Sequence, residues 1–514
     1  MKKVLVALLV FSYTFCFGQS KTGTREKYMN TITVAELKEH LYILSADDFE
    51  GRETSKPGQK KAAKFLEDYY LKQGLEKLKN VKQQSFPLRV RKLTGTTLNI
   101  GETIKYNSEK EMFCLDAEGL EGEYNFSKVV FAGYGISEPG VYDDYKNNDV
   151  KDALVFVYDG EPMNKKRNRS ILSLTTDTYT EWSFDPSLKL QAAQTRGAKA
   201  VIIIREDYKD FLPRIKFWID AERMELIEDD NNQKATGIPL LFMSKEGAEA
   251  ILGKLEGRRK AQKSKSIETK GRLKIDAKDE VVYSENVLAF IEGSDPVLKE
   301  EIVVISAHYD HIGIVNGNIN NGADDDGSGT VSAMEIAEAF ITAKGEGNGV
   351  KRSVLILHVS GEEKGLFGSD YYTRHPIYPL EKTVCDLNID MVGRLDENHA
   401  NDTNYVYLIG SDMLSTELHE TSERVNKETK NIKLDYTFNA EDDPNQFYYR
   451  SDHYNFAKNN IPVIFYFSGV HEDYHKPGDD PEKIVYGKMC NIAQLIFATA
   501  WDIANAPSRL KLKG

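Results

Sequence analysis

Imidazole and carboxylate side chains recur in this chain after short apolar runs, in numbers that suit a metal centre. The candidates are His308, Asp310, Asp325, Glu362, Glu363, Asp390 and His475. Histidine and carboxylate donors without thiolate favour Zn²⁺ or a similar divalent ion in an open catalytic site. Two histidines with three or more carboxylates give at least five ligands, too many for one tetrahedral ion that also keeps a water. They suit two ions about 3.5–4 Å apart that share one carboxylate and hold a hydroxide between them.

One acidic residue must stay off the metals to move protons. The adjacent Glu362 and Glu363 provide such a pair, in which one glutamate binds metal and the other acts as general base. The residue types alone do not decide which glutamate has which role.

The elements that must position these side chains are predicted by runs of β-branched and apolar residues. Strands are predicted at residues 287–291, 302–305, 354–359, 384–389, 406–409 and 463–467. Helical patterns lie between several of them, so the alternation predicts an α/β fold: a mixed, mostly parallel sheet with helices on both faces. Ligands bind beyond the carboxyl ends of such strands, which is where the candidate residues lie.

Two regions lie outside this sheet, and we interpret one as a structural scaffold and the other as a second domain. Near the N-terminus, two helical patterns flank the polar loop ADDFEGRETSKPG, and we interpret this part as scaffold. The middle of the chain predicts strands at 129–135, 153–157 and 200–204 and a helix at 190–196. No His–carboxylate cluster occurs there, so we expect a small separate domain without chemistry of its own.

Length, charge and the first residues limit the class of protein. The chain has 514 residues, which predicts about three domains. Its net charge of −13 argues against a nucleic-acid partner. Residues 1–18 read as a secretory signal peptide, which predicts a periplasmic or extracellular protein rather than a lipoprotein. No later segment is apolar enough to span a membrane, and the cysteines left after cleavage allow one disulfide.

Five motifs together resemble a known family. AHYDHIG, NGADDDGSG, SGEEKGLFGS, NIDMVGR and DYHKPGDD look like the co-catalytic di-zinc peptidases of clan MH, which include secreted bacterial aminopeptidases and glutamate-carboxypeptidase-like enzymes. The middle region resembles the β-rich α+β protease-associated domain often inserted in them. After the signal peptide at 1–18, the resemblance implies a peptidase core at 19–115 and 281–510 and the insert at 116–280.

The resemblance also implies a set of metal ligands. His308 and Asp390 would bind one zinc, Glu363 and His475 the other, and Asp325 would bridge the two ions and precede a cis peptide bond. Asp324 and Asp326 compete with Asp325 as the bridge. His471 competes with His475 for the same ion.

The remaining roles follow from the same resemblance. Glu362 would be the general base, Asp310 would fix the tautomer of His308, and Tyr474 would hydrogen-bond the tetrahedral intermediate. The segment 450–453, RSDH, resembles a signature to which we assign only pocket shaping. His311 is left among the structural histidines.

The expected function is that of a secreted zinc exopeptidase, an aminopeptidase that removes N-terminal residues from peptides by means of a metal-bridged hydroxide. Alternatives are a glutamate-carboxypeptidase-like enzyme, a single-zinc glutaminyl cyclase, or a binding protein like the transferrin receptor, which keeps the fold without a working site. We expect peptide substrates, and either a monomer or a homodimer.

Overall fold

The computed structural model describes residues 21–513, except residues 103, 108–110, 117–119, 165, 167–168, 174–177, 221, 228–236, 256–263 and 441. The chain divides into two compact units, Met1–Pro87 with Tyr283–Gly514, and Leu88–Val282. The signal peptide predicted at 1–18 lies outside the described residues and stays a prediction.

The first unit contains a mixed sheet that matches all six predicted strands. In order across the sheet, its strands are Lys433–Asp435, Tyr405–Ile409, Val463–Phe467, Thr383–Ile389, Ile302–His308, Ser353–Val359 and the end of Lys265–Ile291. The four from Val463–Phe467 to Ser353–Val359 are parallel to their neighbours in this set. Tyr405–Ile409 and Lys265–Ile291 pair antiparallel with the ends of that set. The predicted mixed, mostly parallel sheet is therefore confirmed.

The central strands are buried on both faces because apolar residues occupy consecutive positions. In Ile302–His308, Val303 and Ile305 join one apolar cluster, and Ile302 and Val304 join another. A strand turns successive side chains to opposite faces, so both faces of the sheet are covered.

Helices provide that cover. The helices of this unit are Lys21–Met29, Val34–Leu44, Pro57–Lys72, Gly329–Gly345, Phe367–Arg374, Thr416–Glu428, His453–Ala457 and Tyr486–Asn505. Gly329–Gly345 and Tyr486–Asn505 contribute to the first cluster, and Phe367–Arg374 and His453–Ala457 to the second. No helix among the described residues combines the length and the apolar character needed to cross a bilayer.

The loop between the two N-terminal helices does more than the scaffold role we expected. Arg52 is fully buried, and its guanidinium donates to main-chain oxygens of Tyr309 at 2.8 Å and Leu44 at 3.1 Å. It also donates to the carbonyls of Asn321 at 2.7 Å and Gly322 at 2.8 Å. One arginine therefore fastens the segment after strand Ile302–His308 to the segment that precedes Asp325.

The second unit is a mixed sheet with helices. Its strands include Gly122–Phe131, Ala153–Tyr158, Ala200–Arg205, Leu240–Ser244, Met112–Asp116, Ile104–Tyr106, Arg223–Leu226 and parts of Val81–Ile100 and Lys265–Ile291. Two short strands, Ser137–Glu138 and Tyr142–Asp143, form a separate pair. The helices are Glu181–Phe184, Pro186–Gln194, Tyr208–Asp220 and Lys245–Leu252.

The boundaries of this unit differ from the predicted insert. The compact unit begins at Leu88 and not at residue 116, because the sheet of this unit takes up residues from 88 onward in strand Val81–Ile100. Its kinship with protease-associated domains stays a prediction. No disulfide joins the three cysteines of the described residues, Cys114, Cys385 and Cys490.

Replacing Arg52 by alanine should strongly destabilise the first unit. The change leaves buried carbonyl oxygens without donors, and each such loss costs about 1–3 kcal/mol, so we expect a decrease of about 3 kcal/mol or more in the free energy of unfolding. Urea unfolding followed by circular dichroism measures it. Arg424→Ala, which removes a half-exposed arginine with carboxylate neighbours, should cost about 1 kcal/mol or less. Equal costs for the two variants would refute the bracing role of Arg52.

Candidate metal centre

The predicted site residues converge at one edge of the sheet in the first unit. His308 is the last residue of strand Ile302–His308, and Asp390 directly follows strand Thr383–Ile389. Glu363 lies in the turn after Ser353–Val359, a neighbour of Ile302–His308. These strands are parallel, so their carboxyl ends bring the three side chains together. Each of these donors is thus positioned by the residue at which its strand ends.

A first donor set forms around His308. Its Nε2 lies 3.6 Å from Oδ1 of Asp390 and 3.4 Å from Oδ1 of Asp325. Ligands held 2.0–2.1 Å from one tetrahedral zinc ion are about 3.3 Å apart, so these separations suit donors to a common cation.

A second donor set forms around His475. Its Nε2 lies 3.0 Å from Oε2 of Glu363 and 3.2 Å from Oδ2 of Asp325. The two oxygens of Asp325 therefore face different imidazoles, His308 on one side and His475 on the other. This is the arrangement that a bridging carboxylate requires.

Each neighbouring aspartate has one oxygen bound to main-chain N–H groups, while its Oδ2 is buried without a hydrogen-bond partner among the described residues. Oδ1 of Asp324 accepts from the main-chain N–H of Gly393 at 2.6 Å. Oδ1 of Asp326 accepts from the N–H groups of Gly329 at 2.9 Å and Met391 at 3.1 Å, although its carboxylate also lies near His308. The peptide bond between Asp325 and Asp326 is cis, as the resemblance implied.

His471 lies behind the site and does not join either donor set. Its Nε2 is 3.4 Å from Oδ2 of Asp324 and 3.9 Å from Oδ1 of Asp479. Asp479 in turn accepts from the N–H groups of Asp324 at 2.9 Å and Asp325 at 3.1 Å. The geometry favours His475 as the donor. His471 and Asp479 instead hold Asp324 and Asp325 in place.

Glu362 faces a pocket instead of the second donor set. The pocket is lined by Asp325, Glu362, Asp390, Met391, Phe447, Arg450, Phe465, Phe467, Val470 and Tyr474. Burial, together with the negative charges of Glu363 and Asp390, raises the pKa of the Glu362 carboxyl well above its usual range. Tyr474 also stacks on His475, with ring centroids 3.8 Å apart.

Asp310 acts on His308 in a way that differs from our expectation. Nδ1 of His308 lies 3.1 Å from the main-chain oxygen of Asp310, whereas the Asp310 carboxylate is 3.9 Å away. The carboxylate instead accepts from the hydroxyl of Thr54 at 2.6 Å. The two residues are only two positions apart, so the turn of the chain presents the carbonyl first.

Two residues take part in the site in ways that the sequence analysis did not predict. Ser451, in the RSDH segment, donates from its hydroxyl to Oδ2 of Asp390 at 2.7 Å and so orients a predicted ligand. His311 is fully buried, with Nδ1 2.7 Å from Oε1 of Glu363 and 3.8 Å from Oδ2 of Asp325. The repeat of histidine at positions 308 and 311 was the available signal for it.

The site residues suit divalent cations because several of their buried donor atoms have no hydrogen-bond partner among the residues that the structure describes. Buried atoms with no hydrogen-bond partner of normal geometry within the described part of the chain include Nε2 of His308, Oδ2 of Asp325 and Oε1 of Glu363. Burial opposes protonation of His475, yet Asp325 and Glu363 raise the pKa of His475 to about 10. The site therefore strongly attracts positive charge, and its nitrogen and oxygen donors are those that zinc accepts.

Known proteins resemble this chain in sequence and in fold. The chain is 28% identical over 270 residues to a probable leucine aminopeptidase of Arthroderma benhamiae; the match covers 51% of this chain and 65% of that relative, just under two thirds of its length. The fold resembles an aminopeptidase from Aneurinibacillus sp. strain AM-1, with a TM-score of 0.55 at 18% identity over 95% of this chain and 98% of the other.

A zinc aminopeptidase from Bacillus subtilis has a similar fold. Its TM-score is 0.51 at 20% identity, over 93% of this chain and 95% of the other. At such identities the two structures support the fold alone. The sequence profile of peptidase family M28 matches residues 286–500, the segment that carries all five predicted ligands.

Proposed function

We propose that this protein is a zinc aminopeptidase that binds two zinc ions and removes N-terminal residues from peptides. One observation carries the proposal: the carboxylate of Asp325 lies between His308 and His475, 3.4 Å and 3.2 Å from their Nε2 atoms. Asp390 and Glu363 would complete the two ligand sets. When bound, the two ions would supply Lewis acidity, which polarises the scissile carbonyl and acidifies water.

Glu362 is the proton carrier of the proposed reaction. Its carboxylate faces the same pocket as Asp325 and Asp390, and Oε2 lies 4.0 Å from Nε2 of His308. It would accept a proton from the attacking water and deliver it to the leaving amine nitrogen. A pKa raised by burial and by neighbouring carboxylates suits a group that must both take and return a proton.

The rest of the pocket binds and orients the substrate. Tyr474 lines the pocket beside His475, where its hydroxyl can donate to the oxygen of the carbonyl under attack. Much of the opposite wall is apolar and is formed by Met391, Phe447, Phe465, Phe467 and Val470. These side chains suit an apolar residue next to the scissile bond and exclude water from it.

The preference for a free N-terminus is supported by the names of two relatives, the probable leucine aminopeptidase of Arthroderma benhamiae and an aminopeptidase of Bacillus subtilis. The second candidate, a carboxypeptidase, is favoured by Arg450. Its guanidinium lines the pocket, stacks 4.9 Å from the ring of Phe447 and forms no ion pair within the described residues. Such an arginine could receive a substrate carboxylate.

Substrates with a free and with an acetylated N-terminus should distinguish these two activities. We expect chelator-sensitive release of the chromophore from leucyl and phenylalanyl p-nitroanilides, measured by absorbance, and no release after N-acetylation, because the proposed site reads a free amine. Release of a C-terminal residue from an N-acetylated peptide would instead support the carboxypeptidase. Cyclisation of N-terminal glutamine without hydrolysis would support the cyclase.

Mutation of the two adjacent glutamates should affect different quantities, kcat for Glu362 and zinc retention for Glu363. Glu362→Gln removes the proton carrier and should lower kcat about 10²–10⁴-fold while the bound zinc is unchanged. Glu363→Gln removes a ligand and should reduce the zinc retained after dialysis, measured by elemental analysis. Exposed Glu420→Gln is the matched control and should change neither quantity. Loss of zinc in Glu362→Gln with retention in Glu363→Gln would reverse the two assignments.

A further inference from the structure

We propose that His311 is an additional ligand of the second zinc ion, to which it would supply its Nδ1 nitrogen. This inference rests on the two-zinc function proposed above and adds a donor to it. The second ion would then have two imidazoles and two carboxylates, from His311, His475, Glu363 and Asp325.

The position of His311 among the other donors is the first observation. Its Nδ1 lies 2.7 Å from Oε1 of Glu363 and 3.8 Å from Oδ2 of Asp325. Donor atoms of these three residues all lie within 4.8 Å of one another. The His311 ring faces that of His475, with centroids 5.9 Å apart and planes at 67°. The two imidazoles therefore approach the same pair of carboxylates from different directions.

The unmet bonding of His311 is the second observation. The residue is fully buried, and neither ring nitrogen makes a hydrogen bond of normal geometry with any described residue, in spite of the short approach to Glu363. Leaving buried polar atoms unsatisfied is costly, so a structural histidine would normally have a partner. A cation bound by Nδ1 would satisfy the nitrogen that points at the carboxylates.

The surroundings hold the ring in this direction. The main-chain N–H of His311 donates to the carbonyl of Arg52 at 3.2 Å. A Cβ atom at Gly322 would lie 2.5 Å from Cγ and Cδ2 of the ring, so the imidazole packs directly on bare backbone. Gly322 has φ +52°, a conformation that favours glycine, and its carbonyl is held by Arg52. The same brace that joins the two ligand-bearing segments thus fixes this ring.

The extra donor makes the two ion sites unequal. The first ion would have one imidazole and two carboxylates, which leaves an open position for water or substrate. The second would have four protein donors, the number of a closed zinc site. Because His475 is 38% exposed and His311 is 0% exposed, the buried histidine is also the better shielded of the two ligands. We therefore expect the second ion to bind more tightly than the first.

Zinc titration of single variants tests the role of His311. Zn²⁺ is added to metal-free full-length protein in competition with a chromophoric chelator, which gives the number of ions bound and the affinity of each. His311→Asn keeps an N–H near the position of Nδ1, so it can still donate to Glu363, but it is a poor zinc ligand. His311→Ala removes both functions. His475→Asn is the positive reference, and exposed His375→Asn is the negative control.

We expect His311→Asn and His311→Ala each to lower the affinity for the more tightly bound zinc ion by about 10–100-fold or more. His475→Asn should lower it similarly, and His375→Asn should bind zinc like the wild type. Retained affinity in His311→Asn would overturn the proposal, because a hydrogen bond to Glu363 would then suffice. Unchanged affinity in both His311 variants would also overturn it. If the wild type itself binds fewer than two ions, the proposed function fails separately.

A measurement on the wild-type protein avoids any folding defect of the variants. The protein is labelled with ¹⁵N-histidine and loaded with ¹¹³Cd²⁺, and the cadmium spectrum shows how many histidine nitrogens couple to each ion. We expect one resonance coupled to a single nitrogen and one coupled to two. Two resonances that each couple to one nitrogen would overturn the role of His311.

Discussion

The concentration of buried carboxylates at the end of the central strands is the constraint on which the rest of the site depends. The carboxyl groups in this region are those of Asp310, Asp325, Asp326, Glu362, Glu363 and Asp390. Like charges at such short range raise the pKa of some members and draw protons onto neighbouring imidazoles. Two divalent cations would relieve this repulsion through bonds to atoms that otherwise have no partner. Metal binding and the stability of this edge are therefore coupled.

Holding these groups together requires rigid support from outside the ligand segments. Parallel strands bring His308, Glu363 and Asp390 to one edge. Asp325 instead lies in the segment Ala323–Ser328, a helical turn that is interrupted at Asp325 itself and leads directly into helix Gly329–Gly345. Arg52 ties that loop to the segment after His308 through main-chain carbonyls. Asp479 does the same from the other side by accepting N–H bonds at Asp325. The precision of the site thus depends on buried polar contacts that lie far apart in sequence.

The sequence predicted the sheet because buried strands leave a local signal, and the residues it proposed as ligands are ones that the fold brings to one edge of that sheet. Buried strands appear as short apolar runs, and the polar residues that follow them mark the functional edge. The bracing contacts of Arg52 could not be predicted, because the groups that accept its hydrogen bonds are main-chain oxygens, which any sequence provides. The carbonyl of Asp310 replaced the expected carboxylate for the same reason. His311 was not predicted as a ligand because an isolated histidine near a strand end is usually structural or solvated, and only its burial and its distances reveal its direction. Strand Val81–Ile100 runs through the start of the second compact unit, so no loop marks that boundary in the sequence.

Anomalous diffraction at the zinc edge tests the central claim most directly. Crystals of the zinc-loaded protein should show two peaks about 3.5–4 Å apart, one on each side of the Asp325 carboxylate. One peak should lie beside His308 and Asp390, and the other beside Glu363 and His475. A single peak, or a peak between Asp324 and His471 in place of one of them, would contradict the claim that Asp325 bridges two ions.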